Sequence, residues 1–329
     1  MKKIIAVCCV AIVGFASELY MTADALWWRA ENHGFSYSFN RTDPFSFTGK
    51  IIRLDPKWRP GFRIALGLNT NYDNWDLLIN WTWYLNHISE TRAQPKLTNG
   101  TSKGFYPLFP IDDGGTASYR TVLASWDLTY DTLDFEMGRV FDATKTLSMR
   151  PCWGIRGALL NQEFKDHFSS LLNVSDLNAM ELSSQGKNDF WGVGPRVGSR
   201  AEWRLGAGVS ILGNLAGSLL YGQTQVKTRV DTLQTIGGVF GKYQDYTEDF
   251  YQLVPTLQMM MGVQWGFRFH AEKRYFGLNL CWEANYWWNQ FNVPIASTTY
   301  SGGTNYPYPT TGNQPVTMEG ATLNAQLNF

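Results

Sequence analysis

A side-chain alternation of period two, sustained for roughly 13 to 19 residues at a time, governs what this chain can fold into. From Tyr251 to Phe269 the odd positions are mostly apolar or aromatic, while Gln252, Thr256, Gln258, Gln264 and Arg268 stand between them. From Phe276 to Trp288 the even positions are apolar, against Asn279, Glu283 and Asn285. The last stretch sets Ala321, Leu323, Ala325, Leu327 and Phe329 against Thr322, Asn324, Gln326 and Asn328. Successive side chains of a strand point to opposite faces, so each stretch has one apolar and one polar face. A soluble sandwich alternates too, but its strands hold about 5–6 residues, whereas a membrane-crossing strand needs about 9–11. Aromatic residues near both ends of the apolar faces match the two girdles of a membrane barrel.

These runs predict an all-β chain, a transmembrane antiparallel up-and-down β-barrel. Ten strands are expected, at 25–39, 58–70, 75–87, 118–141, 147–162, 188–204, 206–224, 250–269, 275–291 and 315–329. Short connections (71–74, 142–146, near Leu205, 270–274) alternate with long ones (40–57, 88–117, 163–187, 225–249, 292–314), as periplasmic turns alternate with outside loops. The alternation changes phase at Tyr130-Asp131-Thr132, which reads as a β-bulge within one strand. Twelve strands are the alternative, should that triplet be a turn.

The N-terminus carries the marks of export. Lys2 and Lys3 precede an apolar run from Ile4 to Phe15, with small residues at Gly14 and Ala16 suited to cleavage. Ala23-Asp24-Ala25 is a second candidate site. The domain organisation expected is therefore a signal peptide at 1–16, with cleavage as late as 25 open, and a single outer-membrane barrel over 17–329. The apolar run is too short to span a bilayer as a helix. Cys8 and Cys9 fall within it, leaving Cys152 and Cys281, which are expected to face the interior unbridged. With 28 basic and 28 acidic residues, nothing argues for nucleic acid. No nucleophile elbow, phosphate loop or metal-ligand spacing is present, so no enzyme, metal or cofactor is expected. His87 with Asp112 and Asp113 is the weak candidate for an outer-rim protease.

If the apolar faces meet lipid, parity fixes what lines the lumen. The set is Arg63, Asp134, Glu136, Arg150, Arg156, Arg196, Arg200, Glu202 and Glu283. Arg63, Asp134, Arg156, Arg196 and Glu283 each lie about eight or nine residues from a short turn. At ~3.3 Å per residue and a ~40° tilt, that puts them at one level roughly 20 Å up. Such charges either form a constriction that selects solutes or pair into a network that fills the barrel. Phe329 ends an alternating strand and is the expected assembly signal.

Asn74 to Tyr84, Met149 to Phe164 and Trp191 to Gly222 resemble the Legionella- and chlamydia-type major outer membrane protein family, a likeness that extends diffusely from about Leu26 to Phe329. The resemblance implies a pore-forming, porin-like function, passing small hydrophilic solutes or ions. The alternative is a filled structural barrel whose outside loops act in adhesion or recognition. The expected partners are outer-membrane lipid, lipopolysaccharide and the outer-membrane assembly machinery, together with the solutes themselves, and a homo-oligomer is open. Arg92, Lys96, Lys103, Lys227 and Lys242 are the loop cations expected to reach lipopolysaccharide, or else to be solvated tips. Loop 292–314, with Tyr306-Pro307-Tyr308-Pro309, is expected to cover the mouth or bind a partner.

Overall fold

The computed structural model describes residues 16–32, 36–41, 48–70, 72–94, 104–108, 111–112, 119–171, 179–234, 239–269, 274–291, 294–301, 304–311 and 314–329. Residues 1–15 of the expected leader at 1–16 therefore lie outside the described residues, as do Lys96, Lys103 and Asp113 and the side chains of Asp112 and Lys242.

Ten antiparallel strands close into a barrel in which every strand pairs with its neighbours in sequence. They are β1 (Ala16–Asn32), β2 (Trp58–Thr70), β3 (Trp75–Ala93), β4 (Thr121–Arg139), β5 (Leu147–Leu171), β6 (Ala179–Gly206), β7 (Val209–Gln234), β8 (Val239–Phe269), β9 (Arg274–Phe291) and β10 (Gln314–Asn328). The seam is closed by β1 against β10, in register from Tyr20↔Asn328 to Asn32↔Val316. Closure leaves no unpaired edge, which is the condition for a sheet to sit in lipid. The start of β1, the end of β10 and the short connections share one end. The tightest turn, between β6 and β7, holds Gly206, Ala207 and Gly208 at φ of 110°, 51° and 77°. That left-handed backbone suits glycine, and Ala207 adopts it between two of them.

The lipid-facing band runs between two aromatic rings. Phe141, Trp203, Trp265, Phe267 and Phe329 are exposed at the turn end; Trp58, Trp191, Tyr221 and Tyr251 are exposed at the other. On β6, Trp191 to Trp203 spans roughly 30 Å of height at ~3.3 Å per residue and ~40° tilt, enough to cross the hydrocarbon.

Four sequence expectations are corrected. β1 begins at Ala16 and not at 25, because Thr22 and Asp24 continue its inward-facing parity toward the turn end; the strand at Ser36–Arg41 belongs to a separate small sheet with Gly49–Arg53 and Gly104–Pro107. No bulge occurs at Tyr130-Asp131-Thr132: β4 pairs without a register shift against β3 and β5, and its even residues face inward throughout. The expected loops 163–187 and 225–249 are mostly strand, so β5 to β8 project well past the outer aromatic ring. The expected loop 292–314 contains a hairpin of Pro294–Ser301 and Thr304–Thr311.

The second and third corrections have one cause. Within lipid the apolar side chains point out; beyond it the same strands point their apolar side chains in. On β5, Trp153, Ile155 and Leu159 face outward and are exposed, whereas Leu160, Phe164 and Phe168 face inward and are buried. A strand that keeps perfect parity thus changes the phase of its hydrophobic pattern where it leaves the membrane. A soluble half-buried strand has the inward pattern, and a membrane strand the outward one.

Candidate functional site: the lumen

The lumen divides into three levels. At mid-height, charged side chains from seven strands join in one hydrogen-bonded belt. Arg63 on β2 donates from Nη1 to Asp24 Oδ2 on β1 at 3.0 Å and from Nη2 to Glu283 Oε1 on β9 at 2.6 Å; its Nε donates to Thr82 Oγ1 at 3.0 Å. Arg156 on β5 forks onto Asp134, its direct cross-strand partner on β4, at 2.6 and 2.7 Å. Arg196 on β6 donates to Glu136 at 2.8 Å. Gln258 on β8 ties these groups together: its Oε1 accepts from Arg196 at 2.6 Å and Arg156 at 3.2 Å, and its Nε2 donates to Glu283 at 2.6 Å. Arg150 extends the belt downward, to Asp76 at 2.7 Å and Glu136 at 3.3 Å.

All five members of the expected mid-level set are therefore brought together. Glu283 is 0% exposed, Asp134 1%, Arg156 2%, Arg196 3% and Arg63 7%. Paired, forked hydrogen bonds are what make such burial tolerable, since an isolated buried charge costs several kcal/mol. Arg200 and Glu202 also face inward but lie below the belt, on Gln264 at 3.2 Å and Ser210 at 2.9 Å. Parity did not single out Asp24, Asp76 or Gln258. Asp24 was hidden by its place in a candidate cleavage site, whereas Asp76 and Gln258 carried the same parity signal as the others.

Above the belt the lumen is an apolar core. Trp28, Tyr84, Tyr130 and Trp287 form its floor, with ring centroids 5.6 Å apart for Trp28–Tyr84, 6.5 Å for Trp28–Tyr130 and 5.5 Å for Tyr130–Trp287. Arg63 lies over the Trp28 ring at 5.6 Å, so belt and floor touch. Tyr84 donates its hydroxyl proton to Trp28 O at 3.1 Å, and Trp28 Nε1 donates to Thr322 at 3.2 Å, which fixes the floor to the wall. Trp126, Leu160, Phe164, Phe168, Phe190 and Leu220 fill the space above, all buried. Within this core Asp166 is 1% exposed and accepts a hydrogen bond from Ser184 Oγ, while its Oδ2 has no partner among the described residues. It lies beyond the lipid band, and burial pushes its carboxyl well above the usual carboxylate range.

Below the belt the lumen opens toward the turn end as a cavity of about 800 Å³, lined by Tyr20, Asp76, Arg150, Arg200, Gln264 and Asn324 among others. Cys152 and Cys281 are unbridged, as expected; both face the interior and line this cavity. His87 is not at the mouth of the lumen. It faces outward on β3 and contacts Asp127 of β4 at 2.6 Å. Phe329 is exposed beside β1, its amide donating to Leu19 O at 2.9 Å.

The family described as "Legionella pneumophila major outer membrane protein precursor" matches this chain over residues 15–329. The chain belongs to that family. This places the protein in the bacterial outer membrane and agrees with the closed barrel and its two girdles. No curated protein matches the family member in sequence. Among solved structures it is similar to the outer membrane protease OmpT of Escherichia coli, at 7% identity and TM-score 0.43, covering 95% of this chain and 97% of that one. A major outer membrane protein from Thermus thermophilus is 10% identical with TM-score 0.28, covering 95% and 98%. A FadL homologue from Pseudomonas aeruginosa is 6% identical with TM-score 0.28, covering 95% and 90%. At such identities these likenesses carry no activity across to the family member.

Proposed function

We propose that this outer-membrane protein is a filled barrel, its lumen shut at mid-height, that carries an extended outer rim of strand beyond the lipid. The observation behind the reading is the pair of stacked layers: a charge belt whose members are nearly inaccessible, and directly above it the buried rings of Trp28, Tyr84, Tyr130 and Trp287. A small solute following the lumen from the turn end meets arginine–carboxylate pairs and then closely packed aromatic rings. Small barrels are filled by side chains in this way, whereas open aqueous channels belong to larger ones. The protein's role on this reading lies at its outer surface and loops, in adhesion or recognition, without turnover or cofactor.

A second reading, the porin-like one, has its own support: the polar cavity opens from the turn end and reaches the belt residues Asp24, Arg63, Arg196 and Gln258, so about half of the lumen is already open. Planar-bilayer conductance of refolded protein, with its fold checked by heat-shifted gel mobility, separates the two. The filled reading expects a silent bilayer from the native protein and discrete steps from the Trp28→Ala/Tyr130→Ala/Trp287→Ala variant. Steps of equal size from both would overturn it in favour of the pore, and the reversal potential in a salt gradient would then report which sign of lumen charge dominates.

A further inference from the structure

At its outer end β9 leaves the barrel wall and the chain bends into the lumen. β9 pairs with β8 as far as Thr256↔Trp287 and with β10 as far as Trp287↔Val316. Its next pairing is Phe291↔Gln314, so four steps along β9 match two along β10 and the surplus bulges inward. The bend sits at Asn289, whose φ of 54° is left-handed. On one side of it Trp288 is exposed on the outer wall; on the other Gln290 is wholly buried. Asparagine is one of the few residues that adopt this backbone at little cost.

Side chains from three other strands hold the bend inside. Gln162 on β5 donates to Gln290 O at 2.8 Å, and Asn188, its direct partner on β6, donates to the same oxygen. Gln252 on β8 donates to Asn289 O at 3.2 Å, and Asn32 on β1 donates to Gln162 at 3.2 Å. These ties are uncharged, unlike those of the belt. They are also incomplete: Oε1 and Nε2 of Gln290 and Oδ1 of Asn188 are buried with no partner among the described residues. Buried amide atoms left so cost stability, which narrows the preference for this position. At the root of the bend is Trp287, a ring of the aromatic floor.

The same residues have a second place to go. From Val239 to Pro255, β8 is paired with β7 alone among the described residues, which leaves a free backbone edge. Continuing the register of Thr256↔Trp287 sets Trp288 against Pro255, Asn289 against Val254 and Gln290 against Leu253. Asn289 is then extended, and Gln290 turns from the lumen to the outer face, where Leu253 is exposed.

We infer that Trp288–Phe291 is a strap with two positions. In one it crosses the lumen, tied by Gln162, Asn188 and Gln252, and holds Trp287 in the floor. In the other it zips onto the free edge of β8 and loosens the floor. Asn289 is the hinge. The inference rests on the lumen being shut at rest, as proposed above, and adds the element whose movement opens it.

The test uses the full chain refolded in detergent with its four cysteines replaced by serine, so that Q290C is the only thiol. Its reaction with a water-soluble maleimide follows the fraction of time the strap is out of the lumen. N289V should label about tenfold faster, since left-handed backbone costs a β-branched residue roughly that factor relative to asparagine. N289G should label no faster than the native hinge. Q162M/N188L, which removes both donors to Gln290 O, should label roughly fivefold faster. In the second position L253C/Q290C stand opposite each other, so oxidation should join them, and faster with N289V. Heat-shifted mobility confirms that each variant is folded. Equal labelling of N289V and N289G, or no disulfide from L253C/Q290C with N289V, would overturn the strap even if the native bilayer is silent. In bilayers N289V should give steps where the native hinge gives none. Equal steps from both, with the labelling difference kept, would overturn the shut lumen and leave the two positions of the strap standing.

Discussion

The two halves of the lumen are built by opposite rules from the same ten strands. Below mid-height the inward side chains are arginines, carboxylates and amides around an open cavity; above it they are rings and branched aliphatics with no comparable space among the described residues. The lower half is wrapped in lipid, so its outer face is apolar and its inner face can be polar. The upper half stands largely in water, so its outer face must be polar, and burial of an apolar interior is what stabilises it. The protein thus joins a membrane barrel to a soluble barrel end to end, without a break in the strands.

Breaking the lower half should have the largest effect. Arg63→Ala leaves Glu283 and Asp24 without their cation, and removing one partner of a buried ion pair costs about 3–5 kcal/mol. Urea unfolding in lipid vesicles checks this. The comparison sharpens with Arg63→Met/Glu283→Leu, which removes that ion pair, though it still leaves Asp24 without its cation; replacing a buried pair by apolar groups is often near neutral, so the double variant should recover most of the single variant's loss. In the upper half, Leu220→Ala should cost about 2–5 kcal/mol through lost burial and a cavity, with no dependence on pH. The same unfolding curves at two pH values would separate it from the belt variant.

Asp166 is the exception within the apolar half, and its sign is opposite to that of a paired carboxylate. Its folded-state pKa is raised, so protonated Asp166 has no penalty at low pH. Stability is then lost as pH rises from the ordinary carboxylate value, about 4, toward the raised one. Asp166→Asn should match the native protein below about pH 4 and exceed it above that, in a pH series of unfolding midpoints. The smallest effect should come from the exposed Arg29–Glu319 pair on the outer wall: Arg29→Gln should change stability by about 0–1 kcal/mol, less at high salt. A loss as large as that of Arg63→Ala would mean that the wall, and not the belt, holds the seam.

Most of the lower half was legible in the sequence. With lipid outside, apolar parity marks the outward face, and the opposite parity assigned Arg63, Asp134, Glu136, Arg156, Arg196 and Glu283 to the lumen, where they are. What parity does not supply is partnership: that Gln258 joins Arg156, Arg196 and Glu283 depends on how β5, β6, β8 and β9 face one another across the lumen. The upper half was misread for a physical reason. The rule that apolar means outward holds only where lipid is the solvent, so Phe164, Phe168, Val226 and Val230 looked like loop residues, and the phase change at Tyr130 looked like a bulge. The marker that could have told them apart is the polar company on the outward face: Glu163, Lys165, Lys187 and Lys227 cannot face hydrocarbon, so strands continuing past them must have left it.

The belt also bears on the order of assembly. Arg63 reaches across the seam, holding Asp24 of the first strand and Glu283 of the ninth, with Thr322 of the last strand donating to that same Glu283 at 3.1 Å. Until the terminal hairpin docks against β1, Arg63 and Glu283 lack each other. A chain inserted but not yet closed therefore carries uncompensated charge at the depth where lipid tolerates it least, and every slipped register of the closing strands leaves it so. The final docking step is thereby favoured in the native register over all its neighbours, and a leader cut as late as residue 25 would remove Asp24 from that step.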